Sequence, residues 1–131
     1  MKKELLKKCE ELAEILKQDE RMIALANAKK EYEESSEIKR LMMEYNVQQI
    51  AITEEYKKDT RDEEFIKIIN NRIEEIYNAI SNDPVMKNYI AAQEEVNLLM
   101  QEVNSEINFF ITGDRPCSHD CSSCSSNCSG K

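Results

Sequence analysis

Glycine and proline are almost absent from this chain: there are two of each, no proline precedes Pro84, and Gly113 is the first glycine. Sheet turns draw on those residues to reach their backbone angles, so a long opening stretch without either points away from strands and toward helices. No window approaches the ~18 consecutive apolar residues that cross a bilayer, which excludes a membrane-spanning helix. The start, Met1 to Lys8, carries lysines, but its apolar runs stop at two residues and acids follow directly, so it does not read as a secretory signal. Histidine is equally scarce, with His119 alone. Neither a nucleophile–histidine pair nor the two Glu-x-x-His pairs of a di-iron carboxylate bundle can be built in the helical body, and no enzymatic activity is expected.

What is present is charge and moderate hydrophobicity. In 131 residues, 34% are charged and 40% hydrophobic, which suits one domain with a modest core. The formal charge of −8 arises from 26 acidic against 18 basic residues, and the signs are interleaved, so a phosphate backbone is repelled on average and direct nucleic-acid binding is not expected. The basic runs Lys29-Lys30 and Lys39-Arg40 read as solvated helix faces. With neither an export signal nor a membrane span read from the sequence, the chain is expected to be cytoplasmic, where thiols stay reduced.

Apolar periodicity then sets out an all-α fold of about five helices. Leu5, Cys9, Leu12 and Leu16 make the stripe of a first helix ending near Lys17, and Cys9 on that stripe reads as core. This helix is expected to pack on the others rather than lie on a membrane, because its polar face mixes Glu with Lys. Asp19 caps a second helix through Met22, Leu25, Ala26, Ala28 and Tyr32, and Ser35-Ser36 provides a stop and a fresh cap. The third helix runs on Ile38, Leu41, Met42, Tyr45, Ile52 and Tyr56, with Gln48 and Gln49 interrupting the stripe. Thr60 with Glu63 fits a capping box and Asp62 offers a competing cap, so a fourth helix begins there in either register. It carries Phe65, Ile66, Ile69, Ile73, Ile76, Tyr77 and Ile80.

Asp83 as cap and Pro84 in the first turn start the fifth and longest helix, whose stripe of Tyr89, Ala92, Val96, Leu99, Val103, Ile107 and Phe110 runs until Gly113 can stop it. The tight reversal at Ser81-Asn82 predicts a long antiparallel C-terminal hairpin of the last two helices, with the shorter N-terminal helices packed on it. Ile90, Leu98, Met100 and Phe109 lie off the main stripe and widen the apolar arc toward a contact with another chain. The organisation expected is a helical domain over residues 1–112 and a cysteine-rich tail over 113–131.

That tail, from Cys117 to Lys131, contains no aliphatic or aromatic hydrophobe, so it cannot fold by burying surface and is either disordered or organised by a metal. Cys117, Cys121, Cys124 and Cys128 are spaced C-x3-C-x2-C-x3-C, and four soft ligands so close together in a reducing compartment suit metal rather than disulfides. Structural zinc sites commonly separate two cysteine knuckles by a longer span. A close run of cysteines around one object suits an iron–sulfur cluster, here of the four-iron type, with zinc as the alternative. His119 is a further candidate ligand, though a lone His in a polar loop is more often solvated. The first three cysteines also match the spacing of radical S-adenosylmethionine enzymes, but those need a barrel that this short helical chain does not supply.

The segments Ala24-Leu-Ala-Asn-Ala-Lys-Lys-Glu-Tyr32, Ile38-Lys-Arg-Leu-Met-Met-Glu-Tyr45 and Asp83-Pro-Val-Met-Lys-Asn-Tyr-Ile-Ala-Ala-Gln-Glu-Glu-Val-Asn-Leu-Leu99, together with the cysteine tail, resemble the YlbF/YmcA family of small bacterial helical regulators. The resemblance covers roughly Leu12 to Thr112, and the tail is of the YlbF type. It implies a non-enzymatic cofactor of mRNA processing and turnover that acts with sister family members and a third protein on ribonuclease Y, binds an iron–sulfur cluster and affects competence, sporulation and biofilm formation. It also implies homo- or hetero-oligomers with protein partners. Two rivals stand beside that reading: a metal-handling protein whose tail carries zinc or copper, and a purely structural helical interaction protein.

Overall fold

The structure, a computed structural model, describes residues 1–115. Among them stand five helices: α1 (Lys3–Leu16), α2 (Glu20–Glu34), α3 (Ser36–Tyr56), α4 (Glu63–Asn82) and α5 (Pro84–Thr112). The all-α reading holds, and the helix ends follow the capping residues in the sequence. Asp19 Oδ1 accepts from the Arg21 backbone N–H at 2.9 Å to open α2, and Ser35 Oγ accepts from Ile38 N–H at 3.3 Å to open α3. Of the two candidate caps before α4, Asp62 is the one used, accepting from Phe65 N–H at 3.1 Å. Asp83 Oδ1 accepts from Val85 and Met86 N–H at 2.8 and 3.3 Å, with Pro84 in the first turn, where no donor is needed. At the other end of α5, Gly113 takes the left-handed φ of 78° and donates its N–H to the Phe109 carbonyl at 2.7 Å, a helix stop that a Cβ would strain.

The chain divides into two compact units, with the boundary after Glu94, inside α5. In the first unit the closely packed pair is α3 with α4. Ile52 of α3 packs with Ile66 and Ile69 of α4, and Ala51 and Ile73 close the cluster. Ile38 and Ile76 are fully buried, as is Ala28 of α2. The pair runs antiparallel, since Glu44 meets Arg72 while Glu55 meets Asp62. The Arg72 Nε–H donates to Glu44 Oε1 at 2.6 Å and its Nη1–H to Glu75 Oε2 at 3.0 Å, clamping one helix to the other. Tyr32 of α2 stacks on Tyr89 of α5 with centroids 5.0 Å apart and planes 8° from parallel.

The turn between α3 and α4 is tied by a buried acid, Glu55. Its Oε1 accepts from the Asp62 backbone N–H at 2.9 Å, and its Oε2 lies 2.7 Å from Lys58 Nζ. Together with Asp62 capping α4, this fixes where the chain reverses. The Lys58 ammonium and the Asp62 N–H hold the Glu55 carboxyl below the usual carboxylate range, against the opposing effect of desolvation.

The extensively packed pair is α3–α4, where the isoleucine seam of α4 faces Ile52 and Ala51. Two details differ from the sequence reading. Cys9 is exposed, not core, since α1 buries none of its residues. Phe65 and Tyr77, both placed on the α4 stripe, are exposed at its edges.

In the second unit, the later part of α5 buries Leu99 and leaves Leu98, Met100, Ile107, Phe110 and Ile111 exposed. Phe109 and Phe110 meet edge to face with centroids 5.5 Å apart. Beyond the helix, Arg115 folds back: its guanidinium stands 4.3 Å from the Phe109 ring centroid and grips both carboxylate oxygens of Glu106.

Candidate functional site

Helix α3 is apolar on two sides. One carries Ile38, Leu41 and Ile52 into the core, with Glu55 below them. Roughly opposite, Met43, Val47 and Ile50 follow at steps of four and three and so share a face. They are 70%, 61% and 65% exposed. Burial against α4 accounts for the first side and nothing in the α3–α4 packing uses the second. Contiguous exposed apolar residues on a helix are the mark of a surface that meets a protein. Sequence reasoning missed this stripe, although its i, i+4, i+7 spacing was readable, because the residues of the buried stripe satisfied the expectation for α3 first.

Beside it, where α3 and α4 meet, Met42, Tyr45, Asn46, Tyr77 and Ile80 line an open groove of about 420 Å³. Tyr32 donates its hydroxyl to the Met42 sulfur at 3.7 Å, so α2 holds the methionine in place. The lining has aromatic and aliphatic surface and one amide, with no carboxylate, lysine or arginine. Such a groove can seat an apolar or aromatic anchor from a partner and offers nothing to hold a phosphate or a charged metabolite. Gln48 and Gln49, which interrupt the buried stripe, are half-buried between the two faces, and Gln49 with Ile50, Thr53 and Glu54 lines a smaller hollow of about 200 Å³.

The charged surroundings do not suggest a nucleic-acid surface. Lys29, Lys30, Lys39 and Arg40 are all exposed. Arg40 donates to Glu37 at 2.7 and 3.1 Å, and Lys29 lies 4.0 Å from Glu33, so acids interleave the run as the sequence indicated.

The residues that sequence reasoning singled out for a cofactor, Cys117, Cys121, Cys124, Cys128 and His119, lie outside the described residues. Among the described residues no group of three or more His, Cys, Asp or Glu side chains is placed to hold a metal ion, and no helix is long and apolar enough to cross a membrane. The Glu106–Arg115 grip lies at the point where the chain leaves α5 toward the cysteines.

The described residues form an all-α scaffold with an apolar groove and a second exposed apolar stripe on α3, surface of the kind that meets a protein partner. The family-level comparison agrees: a model described as control of competence regulator ComK, YlbF/YmcA, matches residues 5–112. The chain therefore belongs to the YlbF/YmcA family, a family of regulators of competence. No curated protein and no solved structure matches it significantly.

Proposed function

We propose that this protein is a non-enzymatic regulatory adaptor that acts with sister family members on ribonuclease Y, modulating mRNA processing and turnover and through them competence, sporulation and biofilm development. The observation that carries the reading is the exposed Met43–Val47–Ile50 stripe beside the Met42–Tyr77 groove, an apolar docking face on a protein of a regulatory family. The formal charge of −8 supports contact with the nuclease rather than with RNA.

In the same reading Cys117, Cys121, Cys124 and Cys128 hold an iron–sulfur cluster of the four-iron type, with zinc as the alternative. The donor set fits: four thiolates close in sequence are soft ligands, and gathering their negative charges requires a metal to offset the repulsion. When bound, the cluster supplies a redox- and iron-responsive centre at the end of the helical scaffold. The cysteines then act as its ligands, while the α3 face does the gripping.

The test is complementation. In cells lacking the gene, wild-type protein should restore the 5′-end pattern of ribonuclease Y-dependent transcripts, and the Val47→Asp/Ile50→Asp variant, expressed to the same level, should not. Restoration by the variant would overturn the docking role of α3.

A further inference from the structure

We infer that the end of α5 is the seat of the chain's own cysteine tail: residues 116–131, when their cysteines hold metal, cover Ile107, Phe110 and Ile111, and Arg115 turns the chain onto them. The seat rests on Cys117, Cys121, Cys124 and Cys128 being the metal ligands proposed above. Phe110 and Ile111 are 81% and 75% exposed and Ile107 44%. At spacings of three and four residues they share one face of the last turns of α5. Large apolar side chains left together in water mark a surface that is covered in use.

Direction, reach and chemistry name the occupant. Gly113 breaks the helix at φ 78° with its N–H on the Phe109 carbonyl. The Thr112 hydroxyl donates to the Asn108 carbonyl at 2.9 Å and accepts from the Asp114 N–H at 3.2 Å, fixing the turn that follows. Arg115 then reaches back to the Phe109 ring and to both carboxylate oxygens of Glu106. Glu106 lies one turn before Phe110, at the edge of the exposed face, so the chain leaves α5 aimed back along it. Cys117 follows Arg115 by two residues, which keeps their Cα atoms within about 7 Å. A segment tethered that closely meets the face at an effective concentration of millimolar order. From Cys117 onward the tail has no aliphatic or aromatic residue, so it can shield a thiolate–metal centre from water only against another surface. The end of α5 has the apolar surface that the tail lacks, and shielding of this kind tunes and protects such centres. Gathered thiolates also add negative charge, which a nearby cation offsets; between Lys87 and Lys131 the sequence offers Arg115 as its only lysine or arginine.

Hydrogen exchange on the full chain, isolated without oxygen, reads the seat. Amides of residues 107–112 should exchange several-fold more slowly in metal-loaded wild type than in the Cys117→Ser/Cys121→Ser/Cys124→Ser/Cys128→Ser variant, at any protein concentration. Phe110→Ser/Ile111→Ser changes two exposed positions; it should keep the far-UV helical signal yet lose metal to excess EDTA roughly tenfold faster than wild type. Ile15→Ser, at an exposed isoleucine of α1, should not alter that rate. Arg115→Gln should hasten the loss and Arg115→Lys recover part of it, because lysine keeps the charge without the two-pronged grip. Metal loss at the wild-type rate from Phe110→Ser/Ile111→Ser would overturn the seat while leaving the ligands in place. Protection of residues 107–112 that survives removal of the cysteines, or that fades on dilution, would give the face to another occupant and overturn it as well. Wild type isolated without metal would remove the ligands themselves, and the seat with them.

Discussion

Ile68 and Ile69 are neighbours on α4 with identical side chains, yet Ile68 is 64% exposed and Ile69 3%. Replacing each by alanine isolates burial from chemistry. Ile69 packs with Ile52 and Ile66, so Ile69→Ala removes buried methyl and methylene groups and leaves a cavity that fixed helices only partly refill, a cost of about 2–5 kcal/mol. Ile68→Ala removes little from the core and gains slightly in helix propensity, so its effect should lie within about 0.5 kcal/mol of zero and can be stabilising. With a urea slope of about 2 kcal/mol/M for a chain this size, the Ile69→Ala midpoint should fall by roughly 1–2.5 M while that of Ile68→Ala stays within about 0.3 M of wild type. Urea titration followed by circular dichroism at 222 nm measures both. Midpoint shifts of similar size, or the larger loss in Ile68→Ala, would refute the α3–α4 seam and with it the identification of the opposite α3 face as free for partners.

Three further expectations concern other parts of the chain. Ser35→Ala removes the side-chain acceptor that caps α3 and should cost about 1 kcal/mol in thermal or urea unfolding, with Ser35→Asp restoring it; no loss would remove Ser35 as a functional cap. Because the Glu55 carboxyl sits below its ordinary value of 4.5, its contribution is full above that pH and is lost as pH falls through the lowered folded value. Wild type should therefore lose stability more steeply than Glu55→Gln below about pH 4.5, and parallel acid profiles would contradict the Lys58 and Asp62 contacts. Cys121→Ser with Cys124→Ser should abolish iron and acid-labile sulfide in protein isolated without oxygen while leaving the helical signal unchanged. Zinc with no sulfide in the wild type would transfer the tail to the metal-handling reading, and collapse of the helices in the variant would contradict a scaffold that folds independently of its cysteines.

Much of the fold was legible because its signals are local. Asp19, Ser35, Asp62 and Asp83 each accept from backbone N–H groups two or three residues ahead, and a left-handed turn after a long helix falls to Gly113. The isoleucine spacing of α4 likewise separated buried Ile66, Ile69 and Ile76 from exposed Ile68. Long-range choices were harder. Periodicity shows that a helix has an apolar face but not which helix covers it, which is why the α3–α4 seam was not singled out, and why Cys9 was assigned to a core although it is exposed on α1. The candidate site was hidden for a related reason: α3 has two apolar sides, and only the packing of α4 reveals that Met43, Val47 and Ile50 lie on the side left over. The four tail cysteines, a donor set proposed from composition and spacing, lie outside the described residues.

The most direct measurement is affinity capture from native lysate under anaerobic conditions, using wild type and Val47→Asp/Ile50→Asp bait with thermal unfolding recorded on both. The account requires ribonuclease Y and sister family members to be enriched on wild type and reduced to background on the variant, with the unfolding temperatures agreeing to within about 2 °C. Equal recovery of those partners on both baits would contradict it.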